Sequence, residues 1–581
     1  MLRSECEERI LMLPESYEKH KFLNLYFPIT MNEHDYKDLD EEKIKSIILS
    51  SSNLHALSED LHQEVTSWPF ETNLSRQRHC LVRPFEIKTN HKVLEIGSGC
   101  GAITRYLGET GAEVIAVEGS YSRAEITALR CTDLSNVSVV VDNITEVNLL
   151  DKFDWIFVVG VLEYSRVYIN SKDPVESFLS FAASHLNENG KLVIAIENQL
   201  GLNFFNGRSE DHVGQPFFGI NDLYQEKSVV TFGRKELTQR VVNAGLRSPD
   251  YMYPFPDYKT PTVILSEKAF GLKDFEVANL LFGTRSRDYY GRNIENFDES
   301  LVYGVLGRND LIQELAPSFL AVTGLRNSTS IESQSLAWVY SLGFRKSSFA
   351  CETTFCLDPS EESDSKIVVK KDLLQLHSEA KDSEAEPEFR HLVKTKNKYA
   401  SGLLLARQIS LEISRNPTFG QVTDSLLPWA EFCLKKATCD EDLDGRLLKS
   451  WKLPGDSIES VPSNIIVSDG KFIEIDKEWE SSSAVPLSWI IHRGIRSISR
   501  PSVLNIPLRS DKVFRKICEI LELIVDEYDL VIAQNLEIQF RKFFINYDIP
   551  QPSNLHNEKL TWYEPVKYSI HGHANPKKYD E

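Results

Sequence analysis

The sequence lacks several features that would assign it to a protein class directly. No run of about 18 apolar residues occurs, so no membrane-spanning helix is expected. The nine cysteines are an odd number and include no Cys-x-x-Cys pair, which argues against a disulfide framework or a zinc site. Internal repeats and long heptads are absent as well. These absences favour a globular protein with reduced thiols.

Basic charge is also scarce. The chain has 65 Lys and Arg against 85 Asp and Glu, a net charge of -20, and shows no basic stripe with interleaved aromatic residues. Nucleic acid is therefore not an expected partner, although peripheral membrane contact stays open. The N-terminus, MLRSECEERI, carries acids where a secretory signal would carry positive charge, so we expect a cytoplasmic protein.

A chain of 581 residues is too long for one compact core, and two or three domains are expected. From Lys92 onward, short β-branched runs such as KVLEIG and FDWIFVVG alternate with segments of helix length, which predicts a doubly wound parallel sheet. The stretch TPTVILSE would supply its last strand. The expected segments are a helical cap (1–90), this α/β domain (91–268), a connector (269–315), an α+β domain (316–480), and a helical segment with a polar tail (481–581).

The strongest chemical signal is VLEIGSGCGAITRYL, where a strand is followed by Gly97, Gly99 and Gly101 and then by a helix. Glycines at this spacing let the backbone turn tightly and approach a bound ligand. Glu95 stands just before them, and Glu118 ends the next strand, where a carboxylate can accept both hydroxyls of a ribose. The combination predicts a nucleoside site.

Glu95 decides which nucleoside cofactor is expected. A pyrophosphate at this position would be repelled by the acid, whereas the sulfonium and ammonium groups of S-adenosylmethionine would be attracted. Asp142 ends the third strand, where it can accept from the adenine amino group, and Glu163 ends the fourth, over the cofactor. We therefore expect S-adenosylmethionine, with these four acids contributing to its site.

The order of glycines and acids resembles class I methyltransferases over about residues 90–268. LSRQRHCLVRPF, EGSYSRAEITALRC, ENQLGLNFFNGRSEDHVGQPFFGI and YPFPDYKTPTVILS, with the glycine segment, are similar to bacterial methyltransferases of cell-surface polysaccharide (O-antigen) gene clusters. The resemblance implies a Rossmann-like methyltransferase sheet and an acceptor pocket built from the loops after strands four and five. Candidates for acceptor contact or proton removal are Asn198, Glu210, Asp211 and His212.

The second half carries a separate set of residues. Lys370 or Lys371 ends the strand KIVVKKD, as a phosphate-pairing lysine would, and Asn464 and Asp476 flank an expected hairpin at a spacing that suits a catalytic-loop Asn and a metal-binding Asp. Glu459 stands five residues before the Asn, where protein kinases, which this set of residues resembles, carry a catalytic Asp. We take Lys370 as the cofactor residue, Asn464 and Asp476 as metal ligands, and Glu459 as the catalytic candidate.

This set, with the ending IDKEW, resembles kinases that phosphorylate small alcohols and sugars. The resemblance implies a protein-kinase-like α+β domain over 316–480 that binds ATP and Mg²⁺. Because Glu459 departs from the family's Asp, three alternatives stay open: an active kinase, a binding pseudokinase and an unrelated domain.

Together these observations predict an S-adenosylmethionine-dependent methyltransferase that acts on a glycan or glycolipid, at a sugar hydroxyl or sugar phosphate, with a kinase-like domain beside it. Glycosyltransferases of the same pathway are possible partners. The main alternative is a non-catalytic scaffold that binds S-adenosylmethionine and recruits polysaccharide-assembly enzymes. A nucleic-acid methyltransferase is a third hypothesis, which the acidic charge disfavours.

Overall fold

A computed structural model describes the chain over nine stretches of residues. They are 16–29, 40–144, 146–292, 294–330, 333–343, 345–361, 366–374, 388–498 and 510–545. The expected polar tail, HGHANPKKYDE, lies outside them. Among the helices in these stretches, none is both long and apolar enough to cross a membrane.

The described residues form 22 strands and 17 α-helices. The strands are β1 Tyr17–Lys19, β2 Leu25–Pro28, β3 Lys92–Ile96, β4 Glu113–Glu118, β5 Val137–Val141, β6 Phe153–Val159, β7 Leu186–Glu197, β8 Asp250–Phe255, β9 Val263–Ser266, β10 Ser318–Thr323, β11 Ser335–Ser341, β12 Cys351–Leu357, β13 Ile367–Leu373, β14 Phe389–His391, β15 Lys396–Lys398, β16 Leu403–Leu404, β17 Thr438–Cys439, β18 Trp451–Leu453, β19 Ile465–Ser468, β20 Lys471–Glu474, β21 Trp479–Ser481 and β22 Val485–Pro486.

The helices are α1 Glu41–Ser50, α2 Glu59–Gln63, α3 Trp68–Leu74, α4 Ala102–Glu109, α5 Tyr121–Arg130, α6 Ser165–Tyr168, α7 Pro174–Ser184, α8 Leu202–Phe205, α9 Arg234–Asn243, α10 Val277–Leu281, α11 Glu299–Gly307, α12 Ile312–Leu315, α13 Leu405–Arg415, α14 Phe419–Lys436, α15 Leu487–Ser497, α16 Ser510–Ile520 and α17 Glu527–Phe544.

Fourteen strands form one continuous sheet, in the order β1-β2-β5-β4-β3-β6-β7-β10-β8-β9-β11-β12-β13-β15. Strands β5, β4, β3, β6 and β7 pair in parallel, and α4, α5 and α7 lie in the connections between them. Strands β3 and β6 are almost wholly buried, as expected for parallel strands that are covered on both faces. The doubly wound, Rossmann-like sheet is therefore confirmed.

The strand order reverses between β3 and β6. The chain runs from β3 through β4 to β5 on one side of this point, and from β6 to β7 on the other. The loops that leave the carboxyl ends of β3 and β6 therefore diverge and open a crevice, which is where doubly wound sheets bind ligands. The glycine segment lies at this point of the fold.

The N-terminal segment is not a purely helical cap. It contains α1, α2 and α3, but β1 and β2 form a hairpin, and β2 pairs in parallel with β5 through Leu25 and Val139. This pairing satisfies backbone groups of β5 that would otherwise be exposed at a sheet edge. The expectation of a helical cap over 1–90 is therefore corrected to a mixed segment that extends the sheet.

The expected end of the first domain at residue 268 is also corrected. Strand β10, at Ser318–Thr323, lies antiparallel between β7 and β8, and all six of its residues are buried. Without β10, the facing edges of β7 and β8 would have no partner, so 318–323 belongs to the first sheet and not to a new domain. Strand β9 then pairs with β11, which joins the second β-rich group to the same sheet.

The boundary expected at residue 480 does not separate two cores. Residues from β14 to α17 share one apolar core, which includes Phe389, Trp429, Trp489 and Phe540. Helix α15 packs against α17, α16 and α14. The helical segment after 480 is therefore part of the α+β unit that precedes it, because its apolar faces are buried against α14.

Candidate functional site

The glycine segment forms a tight loop over the ends of two strands. Gly97 and Gly101 have φ angles of 78° and 77°, in the left-handed region that favours glycine. The Gly97 N–H donates to the Val117 carbonyl at 2.8 Å, and a Cβ on Gly97 would lie 2.4 Å from the Val161 side chain. The loop from β3 and the loop after β6 therefore touch, and only glycine fits between them.

Replacing Gly97 by alanine should lower the free energy of unfolding by about 2 kcal/mol, because the added Cβ meets Val161 in an unfavourable backbone conformation. Binding of the cofactor should weaken with it. The matched control is Gly119→Ala, since a Cβ there would have no heavy atom within 4 Å. Urea unfolding of both variants checks this, and equal losses of stability would contradict it.

Glu95 lies beneath the loop. Its side chain is buried, and its Oε2 accepts a hydrogen bond from the Thr104 hydroxyl on α4 at 2.5 Å. Burial raises the pKa of Glu95 to about 8, although the Thr104 hydrogen bond opposes the shift. Glu95 thus ties α4 to β3 below the glycines, and its attraction for a cationic cofactor stays a prediction.

Glu118, at the end of β4, is held against the glycine loop. Its Oε2 accepts the Gly99 N–H at 2.8 Å, and its Oε1 accepts the Ser120 N–H at 3.1 Å. Each carboxylate oxygen has a second lone pair that these bonds leave for another donor. The carboxylate is therefore pre-oriented in the way that binding two ribose hydroxyls requires.

Asp142 follows β5 and is half-buried. Its Oδ1 accepts the Asn143 N–H at 2.7 Å, and its Oδ2 accepts a hydrogen bond from the Tyr17 hydroxyl of β1. Sequence reasoning missed Tyr17, because nothing in the sequence indicates that residues 125 positions apart are neighbours. The contact of Asp142 with an adenine amino group stays a prediction.

A cluster of charged side chains lies past the ends of β6 and β7. Lys259 donates to Glu197 Oε1 and to Asp211 Oδ2, each at 2.5 Å, and the Tyr258 hydroxyl donates to Glu197 Oε1 at 3.3 Å. All four side chains are buried or nearly so. Sequence reasoning named only Asp211. The acid that ends GKLVIAIE was the available signal for Glu197, whereas Lys259 had none.

His212 and Glu163 complete this acid cluster, which we define as Glu163, Glu197, Asp211, His212 and Lys259. His212 Nδ1 lies 3.1 Å from the Tyr164 hydroxyl, and its Nε2 lies 3.7 Å from Glu197 Oε2. Burial alone would lower the pKa of His212, but the Glu197 carboxylate outweighs it and raises the pKa to about 9. Burial and the charge of Glu197 raise the pKa of Glu163.

Two further candidates have structural partners. The Asn198 side-chain amide donates to the carbonyls of Glu314 and Ala316, both at 2.8 Å. Glu210 Oε2 accepts the N–H groups of His212 and Val213 at 2.8 and 2.7 Å. Asn198 thus fastens the end of β7 to the segment just before β10 and is not placed for acceptor contact, while Glu210 shapes the loop that carries part of the acid cluster.

Aromatic rings surround the Lys259 ammonium. Its Nζ lies 4.6 Å from the centre of the Tyr258 ring, 5.2 Å from that of Tyr289 and 6.0 Å from that of Trp68. Trp68, from α3, stacks on Tyr289 with 3.6 Å between ring centres. Trp68, which precedes the parallel strands in the chain, and Tyr289, which follows them, therefore enclose the acid cluster beside Lys259.

The predicted residues of the second half also meet in space, with one correction. Lys371 of β13 is buried and donates to Glu478 Oε2 at 2.8 Å and to Asp476, whereas Lys370 is exposed. Because side chains alternate along a strand, only one of two adjacent lysines can face this site. Lys371 replaces Lys370 as the residue that points to Asp476.

Glu459 lies close to the other predicted residues. Its Oε1 is 3.5 Å from the Asn464 side-chain nitrogen, and its Oε2 accepts the N–H groups of Glu478 and Trp479 at 2.6 and 3.1 Å. Burial and the nearby Glu478 raise the pKa of Glu459. Asp476 adopts a φ of 56°. We define the second cluster as Lys371, Glu459, Asn464, Asp476 and Glu478.

Comparisons with known proteins bear on the first of these sites. Residues 94–192 match the family model described as a methyltransferase domain. This segment is a methyltransferase domain. The matched residues include the glycine loop, Glu118, Asp142 and Glu163. The cofactor of such a domain is S-adenosylmethionine. The loop geometry and the oriented carboxylate of Glu118 fit this cofactor, which would be held by the glycine backbone and the acids that end β4 and β5.

Curated relatives match short stretches of the chain. (S)-coclaurine N-methyltransferase of Thalictrum flavum is 37% identical over 87 residues, which are 14% of this chain and 24% of that protein. Ribosomal RNA small subunit methyltransferase A of Streptococcus sanguinis is 39% identical over 79 residues, 14% of this chain and 26% of that protein. The chain thus spans about a quarter of the length of these relatives.

A solved structure of phosphoethanolamine N-methyltransferase 2 from Haemonchus contortus, in complex with S-adenosyl-L-methionine, is 15% identical. The alignment covers 52% of this chain and 62% of that one, with a TM-score of 0.29.

Proposed function

We propose that this chain is an S-adenosylmethionine-dependent methyltransferase that acts in the cytoplasm on a glycan or glycolipid, at a sugar hydroxyl or sugar phosphate of surface polysaccharide. The methyl transfer rests on one observation above the rest. Glu118 is fixed by the Gly99 and Ser120 N–H groups, at the edge of the sheet where the acid cluster also lies. The choice of acceptor rests on the resemblance of the sequence segments quoted above.

The acid cluster supports an acceptor site. Bound S-adenosylmethionine would supply a methyl group on its sulfonium. An acceptor oxygen would form a C–O bond to that methyl carbon as the C–S bond breaks, and the electron pair of the C–S bond would stay on sulfur. Positioning does most of the work in such a transfer. His212, whose pKa is about 9, holds its proton at neutral pH and is a poor base in this state. Asp211 is then the better candidate for taking a hydroxyl proton, and a phosphate acceptor would need no base.

Mass spectrometry of polysaccharide from cells with and without the protein tests the proposal. We expect a methyl increment that disappears when the gene is deleted and returns with the wild-type gene. The alternative is a scaffold that binds S-adenosylmethionine without turnover and recruits polysaccharide-assembly enzymes, such as glycosyltransferases. Cofactor binding without methylation of any glycan fraction would support the scaffold and overturn the enzyme.

We also propose that the C-terminal unit is kinase-like and binds ATP with Mg²⁺. The contacts of Lys371 with Asp476 and Glu478 support this, since a strand lysine and a metal-binding acid meet in such sites. Glu459 accepts the Glu478 N–H at 2.6 Å and lies 3.5 Å from the Asn464 side-chain nitrogen, which supports a shared site for all five residues. Phosphorylation of the acceptor by this unit is the further step of the proposal, with Glu459 in the position of the base.

Replacing Asp476 by asparagine should weaken Mg²⁺-dependent ATP binding by about 10-fold or more, since a hard cation loses a charged oxygen ligand. Asp469→Asn is the matched control, because Asp469 is exposed and has a φ of 48°, close to the 56° of Asp476. Thermal shift with ATP and Mg²⁺ measures both. The absence of any ATP-induced shift in the wild type would remove the kinase hypothesis.

A further inference from the structure

The acid cluster contains a buried carboxylate that has no hydrogen-bond partner among the described residues. Glu163 lies in the turn after β6 and is fully buried. Among the described residues, neither of its carboxylate oxygens has a hydrogen-bond partner. A buried carboxylate in this state is costly unless a cation or a proton compensates it.

The neighbouring donor atoms converge on the same point. One carboxylate oxygen from each of Glu163 and Glu197, and one ring nitrogen of His212, all lie within 4.8 Å of one another. Ligands bonded at about 2.0–2.2 Å to one ion lie roughly 3 to 4.4 Å apart, depending on coordination geometry. The 3.7 Å between His212 Nε2 and Glu197 Oε2 falls in that range and is too long for a hydrogen bond.

Neighbouring side chains orient His212 and Glu197 in the way that hydrogen-bonding partners commonly orient metal ligands. Tyr164 lies at His212 Nδ1, at 3.1 Å, which leaves Nε2 available to an ion. Lys259 and Tyr258 bind Glu197 through Oε1, and Oε2 has no hydrogen-bond partner among the described residues. The two carboxylates and the imidazole therefore each present an atom that is not committed elsewhere.

The geometry points to a mononuclear site for a divalent transition-metal ion, held by Glu163, Glu197 and His212 at the carboxyl ends of β6 and β7. Two carboxylates and one imidazole suit Mn²⁺ or Zn²⁺ better than Mg²⁺, which is rarely bound by histidine. Binding would release the proton of His212, and the ion would then balance the Glu163, Glu197 and Asp211 carboxylates, which outnumber the one ammonium of Lys259. For Glu163 and His212, this assigns a role as metal ligands rather than cofactor contact and base.

A second group of possible ligands is less suited to a metal ion. Cys351, His391 and Glu478 also bring three donor atoms together. There, however, Glu478 is already paired with the cations of Lys371 and Arg345. Two fixed positive charges beside the carboxylate would repel an incoming metal ion.

The test is metal uptake by the full chain after chelator treatment, with Mn²⁺ and Zn²⁺ added separately. Equilibrium dialysis and elemental analysis should find one equivalent bound to the wild type. In Glu163→Gln and His212→Ala the dissociation constant should rise at least 10-fold. Cys351→Ser should retain the wild-type constant. No stoichiometric uptake by the wild type, or unchanged uptake by both ligand variants, would overturn the site.

Melting temperatures show whether a variant that loses metal binding still folds. Without metal, Glu163→Gln should melt at or above the wild-type temperature, because it removes a buried carboxylate that has no partner. The rise in melting temperature that metal gives the wild type should be absent from the variant. An equal rise in both would count against the site. Every arm omits S-adenosylmethionine, so the outcome does not depend on the proposed methyl transfer.

Discussion

Replacing Glu118 by alanine should weaken the binding of S-adenosylmethionine about 100-fold, which corresponds to about 2.7 kcal/mol. The reason is that a carboxylate accepting two ribose hydroxyls makes two charge-assisted hydrogen bonds, each of which contributes roughly 1.5–3 kcal/mol. The substitution also releases the Gly99 and Ser120 N–H groups, which the carboxylate now holds. Isothermal titration calorimetry of the purified chain measures the loss.

The matched control is Glu188→Ala. Glu188 is exposed near the start of β7, at the opposite end of the strand from the acid cluster, so its removal should leave the dissociation constant unchanged. Glu118→Gln should also weaken the binding of S-adenosylmethionine, because the amide nitrogen of Gln would face a backbone N–H that the carboxylate now accepts. Equal binding by the wild type and Glu118→Ala would remove the cofactor-site assignment.

Replacing Trp429 by alanine should destabilise the C-terminal unit by about 3–5 kcal/mol, the cost of removing a large buried aromatic side chain. Trp429 of α14 is fully buried, and its indole N–H donates to the Ser460 carbonyl at 2.9 Å. Gly494 of α15 lies so close that a Cβ there would be 2.0 Å from the Trp429 ring. The ring thus fills the contact between α14 and α15, and its loss leaves a cavity and removes one donor from the Ser460 carbonyl.

Urea unfolding of the full chain, followed by circular dichroism, measures this loss. Trp451→Ala provides the comparison, because Trp451 is only partly buried and its indole N–H bonds the Gly445 carbonyl near the surface. We expect about 1 kcal/mol for that change. A Trp429→Ala variant that loses no more stability than Trp451→Ala would contradict the packing described for α14.

The sequence was sufficient to predict the parallel sheet and the glycine loop. Both have short-range signals: β-branched runs alternate with helical segments, and the glycines between β3 and α4 must adopt left-handed backbone at Gly97 and Gly101. Glu118 could be placed at the end of β4 for the same reason. Local pattern decides such features, because the residues that form them are near one another in the chain.

The remaining features depend on contacts between distant segments. Strand β10 begins 121 residues after β7 ends. From the sequence alone, SFLAVT fits equally well as a strand of the first domain or of the second domain expected after residue 316. In KIVVKKD, the lysine that faces inward depends on register, which the sequence does not specify. Lys259 and Tyr17 reach Glu197 and Asp142 through the tertiary fold alone. These residues carry no motif by which they could have been recognised.

The position of β10 in the sheet, together with the pairing of β9 with β11, limits how this chain can be shortened. Because β10 is threaded back between β7 and β8, a fragment ending at residue 268 would leave both of those strands with open, apolar edges, which invite aggregation. A fragment starting at residue 316 would carry away the strand that the other half needs. The two halves therefore share one hydrogen-bonded ladder, and a protease cut between them would leave the pieces bound together.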